Sequence, residues 1–425
     1  MAALASPSPS LPSGVATGWR LSSRNVERLS RGVIGIAVFS GAFVIEEPAP
    51  YELLLVALMA VWLICGLRLD RFAIALTGLF VLFNIGGMLS MFTMDAYGGI
   101  PLYLAVSLFL GFTSVFWCAA ITADMGRLRT VMRAYALGAA ATAALGIAGY
   151  FDAFPGAEVF TRYERAKGAF QDPNVFGPFL VLPAVYLLHG LVHRWDGATL
   201  VRAGLLTVIL AGLFLSFSRA AWGMLLLCAV IYYALALATT RSDTMRLRMI
   251  VLAVVGLGAV LLLLAVLLQF EAVSQMFSQR AALAQDYDSG EHGRFARHLV
   301  GLMWALENPL GIGPLEFGQI LGEDTHNIWI KALMAYGWIG FLTWGAMTVI
   351  TLVGGWRLLG RPRPWQPYLH CLYAVFIGQL VIAWVIDIDH WRHFYLIVGL
   401  IWGCMALEAR RGDEHAPHTA EKWSE

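Results

Sequence analysis

Between residues 32 and 408 the chain is a succession of apolar runs, most of them near the roughly 20 residues an α-helix needs to cross a bilayer. They lie near 32–46, 50–67, 72–92, 100–122, 134–151, 175–193, 203–217, 221–238, 249–269, 328–354, 367–386 and 393–408, separated by charge, Pro or Gly clusters. A helix of that length satisfies its own backbone in lipid. The expected fold is therefore all-α, a polytopic membrane helix bundle of about 12 transmembrane helices. Eleven or thirteen crossings fit the same pattern, because the first run is short and the stretch around Phe217 reads equally as one long hairpin. Charged residues are only 13% of the chain, against about a quarter in soluble domains, which excludes a set of soluble domains. The near balance of 29 Lys and Arg with 28 Asp and Glu excludes the basic excess of a nucleic-acid binder. Cys65, Cys118, Cys228, Cys371 and Cys404 all fall in apolar runs without zinc-site spacing and read as packing residues.

The location of the charges sets the expected topology. Residues 1–31 begin with a Ser/Pro/Ala/Gly stretch lacking the apolar core of a signal peptide, and read as a disordered cytoplasmic tail. About nine spans fill 32–269, a long loop 270–327, further spans 328–408, and a second cytoplasmic tail 409–425. With the N-terminus inside, the inner segments hold more than twice as many Lys and Arg as the outer ones, so both termini are expected in the cytoplasm. Most acids lie on the outer side, chiefly in loops 152–174 and 270–327. The second of these loops is far longer than an ordinary connection. Within it, 271–285 and 293–306 read as two short helices around the turn DYDSGEHG, the second with an apolar stripe of Phe295, Leu299, Met303 and Leu306. Neither is long enough to span, so both are expected to form a small helical cap on the outer leaflet.

Ionisable groups at membrane depth are costly and mark function, and here they gather on the outer side. Arg219, in FLSFSRAAWG, lies between two spans with almost no loop. It either snorkels to the headgroups or clamps an anion, for which a planar guanidinium is well suited. Arg294, Arg297 and His298 share one side of the second outer helix, as a site or as a solvated face. His326 stands at the start of the span beginning HNIWIKAL, where Asp324, Thr325 or Asn327 could cap the first turn and the helix dipole disfavours imidazolium. That would leave its ring free to take a proton, unless it only caps or meets headgroups. Lys331, one turn deeper, must snorkel or find an anion. Arg162, Arg165 and Lys167 precede the turn-forming Asp172-Pro173-Asn174 and add positive field, or form a solvated loop. DIDHWRHF (387–394) contains Asp387, Asp389, His390 and His393, but without HExxH or Cys-His spacing no metal site is expected. His390 is kept as a substrate-orienting candidate. No Walker A, dinucleotide-binding or GxSxG pattern is present.

FSRAAWG (217–223), GRFARHLVGLMWALENPLGIGPLEFG (293–318) and HNIWIKALMAYGWIG (326–340) resemble, in that order, the span-loop-span core of the O-antigen ligase and polymerase superfamily of bacterial polytopic glycosyltransferases. QDPNVFGPFLVLP resembles an upstream segment of some members, and Ala220 departs from the Gly that many carry after the Ser-Arg pair. The resemblance implies a multi-pass protein of the bacterial inner membrane whose large loops are periplasmic. It implies transfer of a glycan from a polyprenyl-diphosphate carrier, such as undecaprenyl diphosphate, to a periplasmic-side acceptor, without cofactor or metal. By matching position, Arg219 and Arg294 would hold the diphosphate and His326 would serve the acceptor as catalytic residues. Arg162, Arg165, Lys167, Arg297, His298, Asn327, Lys331 and His390 are the expected substrate-binding set. A lipid A core sugar as acceptor makes a ligase of lipopolysaccharide biosynthesis, and a second lipid-linked repeat makes a surface or exopolysaccharide polymerase. A lipid-linked oligosaccharide flippase is the alternative of another class, disfavoured because charges are scarce at mid-span.

Overall fold

The computed structural model describes residues 23–66, 68–281 and 293–414. The helices are α1 (Ser23–Ser40), α2 (Pro50–Ile64), α3 (Arg71–Ser90), α4 (Ile100–Ala123), α5 (Gly126–Tyr150), α6 (Pro173–Phe179), α7 (Val181–His193), α8 (Thr199–Leu215) and α9 (Arg219–Thr239). They continue as α10 (Asp243–Leu267), α11 (Glu271–Ala281), α12 (Arg294–Glu307), α13 (Glu316–Leu321), α14 (Ile328–Trp356), α15 (Gln366–Ile382) and α16 (Arg392–Glu414). A small antiparallel hairpin, β1 (Thr161–Arg162) and β2 (Arg165–Ala166), interrupts them after α5. Among the described residues, seven segments are long and apolar enough to cross a membrane: Arg71–Thr93, Ile100–Ala123, Gly126–Tyr150, Pro173–His193, Arg219–Thr239, Asp243–Leu267 and Ile328–Trp356. α2, α8 and α15 are apolar but shorter. The chain is thus a polytopic helical bundle, and each apolar run of the sequence falls on a helix.

Two boundaries differ from the sequence reading, for the same reason. α1 begins at Ser23, inside the stretch expected to be disordered, because its charged first turns find partners: Arg127 Nη2 lies 2.7 Å from Glu27 and Arg31 Nη2 lies 2.5 Å from Asp124. α16 runs past residue 408 to Glu414, with Glu408 held by Arg361 at 2.6 Å and Arg363 at 2.7 Å. Apolar pattern alone does not register such pairs. The turn 286–293 lies almost wholly outside the described residues.

Helix starts follow capping chemistry. Asp70 accepts the N–H groups of Phe72 and Ala73, Ser218 that of Ala221, and Asn327 those of Trp329 and Ile330, each offsetting donors left open at a helix N-terminus. The core is aromatic, with Trp117, Trp344, Trp365 and Trp402 fully buried. α3 and α14 meet backbone to backbone at Gly86, where a side chain would strike the Tyr336 carbonyl and Gly340.

α14 is broken at Gly337, whose φ of 62° combined with ψ of −170° falls in a region open essentially to glycine alone. The loop after α12 threads into the break and satisfies the freed groups. Trp338 N–H donates to Pro309 O at 3.0 Å, and Ile312 N–H to Met334 O at 2.8 Å. The first turns of α14, with Lys331, are thereby a short helix in their own right. α12 lies across it through Arg297, Gly301 and Ala305, leaving Phe295, Leu299, Met303 and Leu306 exposed on its far face. The expected apolar stripe therefore points away from the bundle.

Candidate active site

Two groups of polar side chains occupy the end of the bundle where α9 and α14 begin. The first is cationic. α8 and α9 are joined only by Ser216–Ser218, with Phe217 at a φ of 46°. This tight turn leaves Arg219 half-buried in the first turn of α9, where the positive end of the helix dipole opposes a cation. An aromatic collar surrounds the turn: Trp222 stacks on Phe214 at 5.4 Å, Phe277 of α11 lies 5.8 Å from both, and Tyr150 is 5.9 Å from Phe217. Such belts mark membrane–water boundaries.

The β1–β2 hairpin brings further cations to the same turn. Tyr163 and Glu164, both at φ 54°, make its tight reversal and set Arg162 opposite Arg165. Arg165 is buried and spans to the Arg219 turn, donating from Nε to Ser216 O at 2.7 Å and from Nη2 to Asn174 Oδ1 at 2.7 Å. Both acceptors are neutral. Burial, with Arg280 of α11 close by, lowers its guanidinium to about 10, and Asp172 opposes this only in part. Arg162 donates to Gln171 O at 3.0 Å, and burial together with the neighbouring Arg162 lowers Lys167. Like charges this close favour an anion between them.

The second group is an acid–base cluster around the start of α14. Lys331 Nζ is buried 3.2 Å from Asp324 Oδ2, 3.5 Å from Asp387 Oδ2 and 3.6 Å from Asp389 Oδ1. Asp389 also accepts from the Tyr103 hydroxyl at 2.8 Å and lies 3.1 Å from His390 Nδ1, while the His390 ring rests on Tyr103 at 4.1 Å. Burial alone would raise Asp389, yet Lys331, His390 and Tyr103 together hold it well below the usual carboxylate range. For Asp387 burial outweighs the attraction of the shared lysine and pushes it up to about 7. Its Oδ2 is 3.9 Å from His326 Nδ1, and its Oδ1 is buried with no hydrogen-bond partner among the described residues. His326 itself sits at φ 52°, half-buried.

α15 connects the two groups. Its Gly378 packs on Met224 and Cys228 of α9, below Arg219, while Ala383 just past its end accepts the Ile328 N–H at 3.0 Å. Of the residues expected from sequence, His326, Lys331 and His390 come together in one cluster, and Arg165 comes to the Arg219 turn. Asn327 is the cap of α14. Arg297 is mostly buried in an ion pair with Glu323 that ties α12 to the loop before α14. His298 lies edge-on to Phe295, and Arg294 opens α12 with its side chain outside the described residues. The sequence reading assigned no role to Asp387, Asp389 or Tyr103. The two aspartates were visible in DIDHWRHF, but Tyr103 is an ordinary aromatic within a span. Among the described residues no group of three His, Cys, Asp or Glu is placed to hold a metal ion.

A bundle of membrane-type helices with a cation cluster and a buried acid–base cluster at one end is a polytopic protein whose polar groups are suited to holding an anion and to moving a proton. The O-Antigen ligase family model matches residues 204–345, and the chain carries an O-antigen ligase domain, of the ligase and polymerase type of glycosyltransferase. That segment runs from α8 to the middle of α14 and includes Arg219, Arg294, His326 and Lys331. Among curated proteins none matches the chain.

Proposed function

We propose that the protein is an O-antigen ligase-like, metal-independent glycosyltransferase of the bacterial inner membrane, with about twelve spans and both termini cytoplasmic. Its donor is a polyprenyl-diphosphate-linked glycan and its acceptor a lipid A core sugar. The observation that carries the reading is the pairing of two unlike groups at one end. One is a set of arginines, Arg165 bonded to neutral oxygens and crowded by Arg280. The other is a histidine beside a carboxyl that titrates near neutrality.

Arg219 and Arg294, with Arg165 behind the Arg219 turn, hold the diphosphate oxygens, where negative charge grows as the carrier leaves. The acceptor hydroxyl oxygen attacks the anomeric carbon from the face opposite the diphosphate. The carbon–oxygen bond to the carrier breaks, its electron pair stays on the diphosphate, and the anomeric configuration inverts. The hydroxyl proton passes to His326, and the Asp387 carboxylate supports the imidazolium so formed. Asp387 Oδ1 is an open acceptor for a second hydroxyl of the incoming sugar. The activated anomeric bond of the donor supplies the free energy, so no nucleotide is consumed.

The test is transfer in proteoliposomes with Arg219→Ala, Arg294→Ala and His326→Ala, each with and without chelator. The expected result is loss of transfer in all three variants with normal insertion, and no effect of chelator on the parent. Near-normal transfer by Arg219→Ala, or loss on chelation, contradicts the reading.

A further inference from the structure

The segment between α15 and α16 presents two aspartates, Asp387 and Asp389, to one lysine. It is clamped at both ends: Ala383 O accepts the Ile328 N–H at 3.0 Å, and Arg392 pairs with Glu52 and, at 2.9 Å, with Glu47. Between the clamps the Trp391 N–H donates to Ile388 O at 3.1 Å, and the two carboxylates end almost equally close to Lys331 Nζ, at 3.5 and 3.6 Å. Distance to the ammonium does not tell them apart. Their other partners do. Asp389 Oδ2 accepts from the Tyr103 hydroxyl at 2.8 Å and lies 3.1 Å from His390 Nδ1, and Asp389 O accepts from the Tyr395 hydroxyl at 2.6 Å. Asp387 has His326 Nδ1 at 3.9 Å from Oδ2, while its Oδ1 is buried with no hydrogen-bond partner among the described residues. Tyr103 itself is fixed by His390, whose ring rests on it at 4.1 Å and whose Nε2 lies 3.4 Å from Tyr103 O. Its hydroxyl is thus delivered to Asp389 and not to Asp387.

We propose that Tyr103 is a positioning residue for glycan transfer: by occupying Asp389 it leaves the larger share of the Lys331 ammonium to Asp387, the carboxylate that faces His326. This rests on the reading of His326 and Asp387 above and adds a residue that acts through Asp389 without touching substrate. The groups that face Asp387 are Lys331 of α14, His326 from the turn before it, Asp324 from the loop ahead of that turn, and Asp389 from its own segment. Those that face Asp389 are Lys331, His390, Tyr103, Tyr336 and Tyr395. A hydrogen bond to a carboxylate is stronger than one between neutral groups, so the phenol satisfies part of the Asp389 charge. Without it, Asp389 draws the ammonium to itself. Asp387, already raised by burial, then holds its proton more tightly, and fewer molecules carry the carboxylate that supports the His326 imidazolium.

The experiment records pH–rate profiles of transfer from a polyprenyl-diphosphate glycan to lipid A core in proteoliposomes. The full chain is compared with Tyr103→Phe, Asp389→Asn, the double variant, and a chain carrying a fluorinated tyrosine at residue 103. Tyr103→Phe keeps the ring on His390 and should move the rising limb up by about one pH unit, so that transfer falls about tenfold at about pH 6 and is unchanged at about pH 9. Asp389→Asn should move the limb down, and Tyr103→Phe should add no further shift in that background. The fluorinated phenol, a stronger donor of nearly the same shape, should also move the limb down, and this arm holds even where Tyr103→Phe fails to insert. An unchanged profile in Tyr103→Phe, an equal loss at every pH, or the same shift with and without Asp389→Asn overturns the inference while the base reading stands. A parent profile without a limb that Asp387→Asn removes overturns both.

Discussion

Removing the Lys331 ammonium with Lys331→Met should strongly destabilise the protein. Three carboxylates lie within 3.6 Å of Nζ, and Asp387 and Asp389 are enclosed with it. Stripping one partner from a buried ion pair typically costs about 3–5 kcal/mol, because the remaining charge is left uncompensated. Two features pull toward the lower end of that range. Asp387 can take up a proton near neutral pH, and Asp389 keeps the Tyr103 hydroxyl and His390 as donors. A loss of about 3 kcal/mol is therefore expected in reversible SDS unfolding followed by tryptophan fluorescence. Lys331→Met combined with Asp389→Asn should recover about 2 kcal/mol of it, since the carboxylate that cannot readily protonate is gone. A cost below about 1 kcal/mol for Lys331→Met, or a double variant as unstable as the two single changes summed, would refute the cluster as described.

Arg219→Lys should lower transfer by about 100-fold or more, because a point charge does not replace a planar fork aimed at diphosphate oxygens; steady-state rates in proteoliposomes check this. Transfer should rise with pH through about 7 as buried Asp387 gives up its proton and becomes able to support the His326 imidazolium, and Asp387→Asn should flatten that limb in a pH–rate profile. Asn327→Ala removes the acceptor for two backbone donors of α14 and should cost about 0.5–2 kcal/mol in the same unfolding assay.

The helical bundle was legible because apolar runs of span length carry their own signal, and the Asn327 cap because capping is local. Arg165 was readable as one more outer cation, but not as the residue that braces the Arg219 turn. That contact joins positions 51 apart and depends on how the hairpin folds back. The break in α14 was hidden, since Gly337 inside an apolar run reads as an ordinary small residue. Its meaning comes from the loop that threads into it. The cluster of Lys331 with Asp387 and Asp389 was half visible: the lysine needed an anion and the aspartates were noted, yet their meeting requires α14, α15 and the loop before α16 to converge. Tyr103, contributed from α4, had no signal at all. Helix ends at Ser23 and Glu414 escaped because ion pairs, not apolar pattern, hold them.

The most direct test of the central claim is to give the reconstituted protein a polyprenyl-diphosphate donor labelled in its glycan, with lipid A core and a second lipid-linked repeat as competing acceptors. The account predicts that label moves to lipid A core with inversion at the anomeric carbon and release of polyprenyl diphosphate. A ladder of longer lipid-linked chains would instead make the protein a polymerase using the same site. An intact donor that only crosses the bilayer would contradict glycosyl transfer altogether.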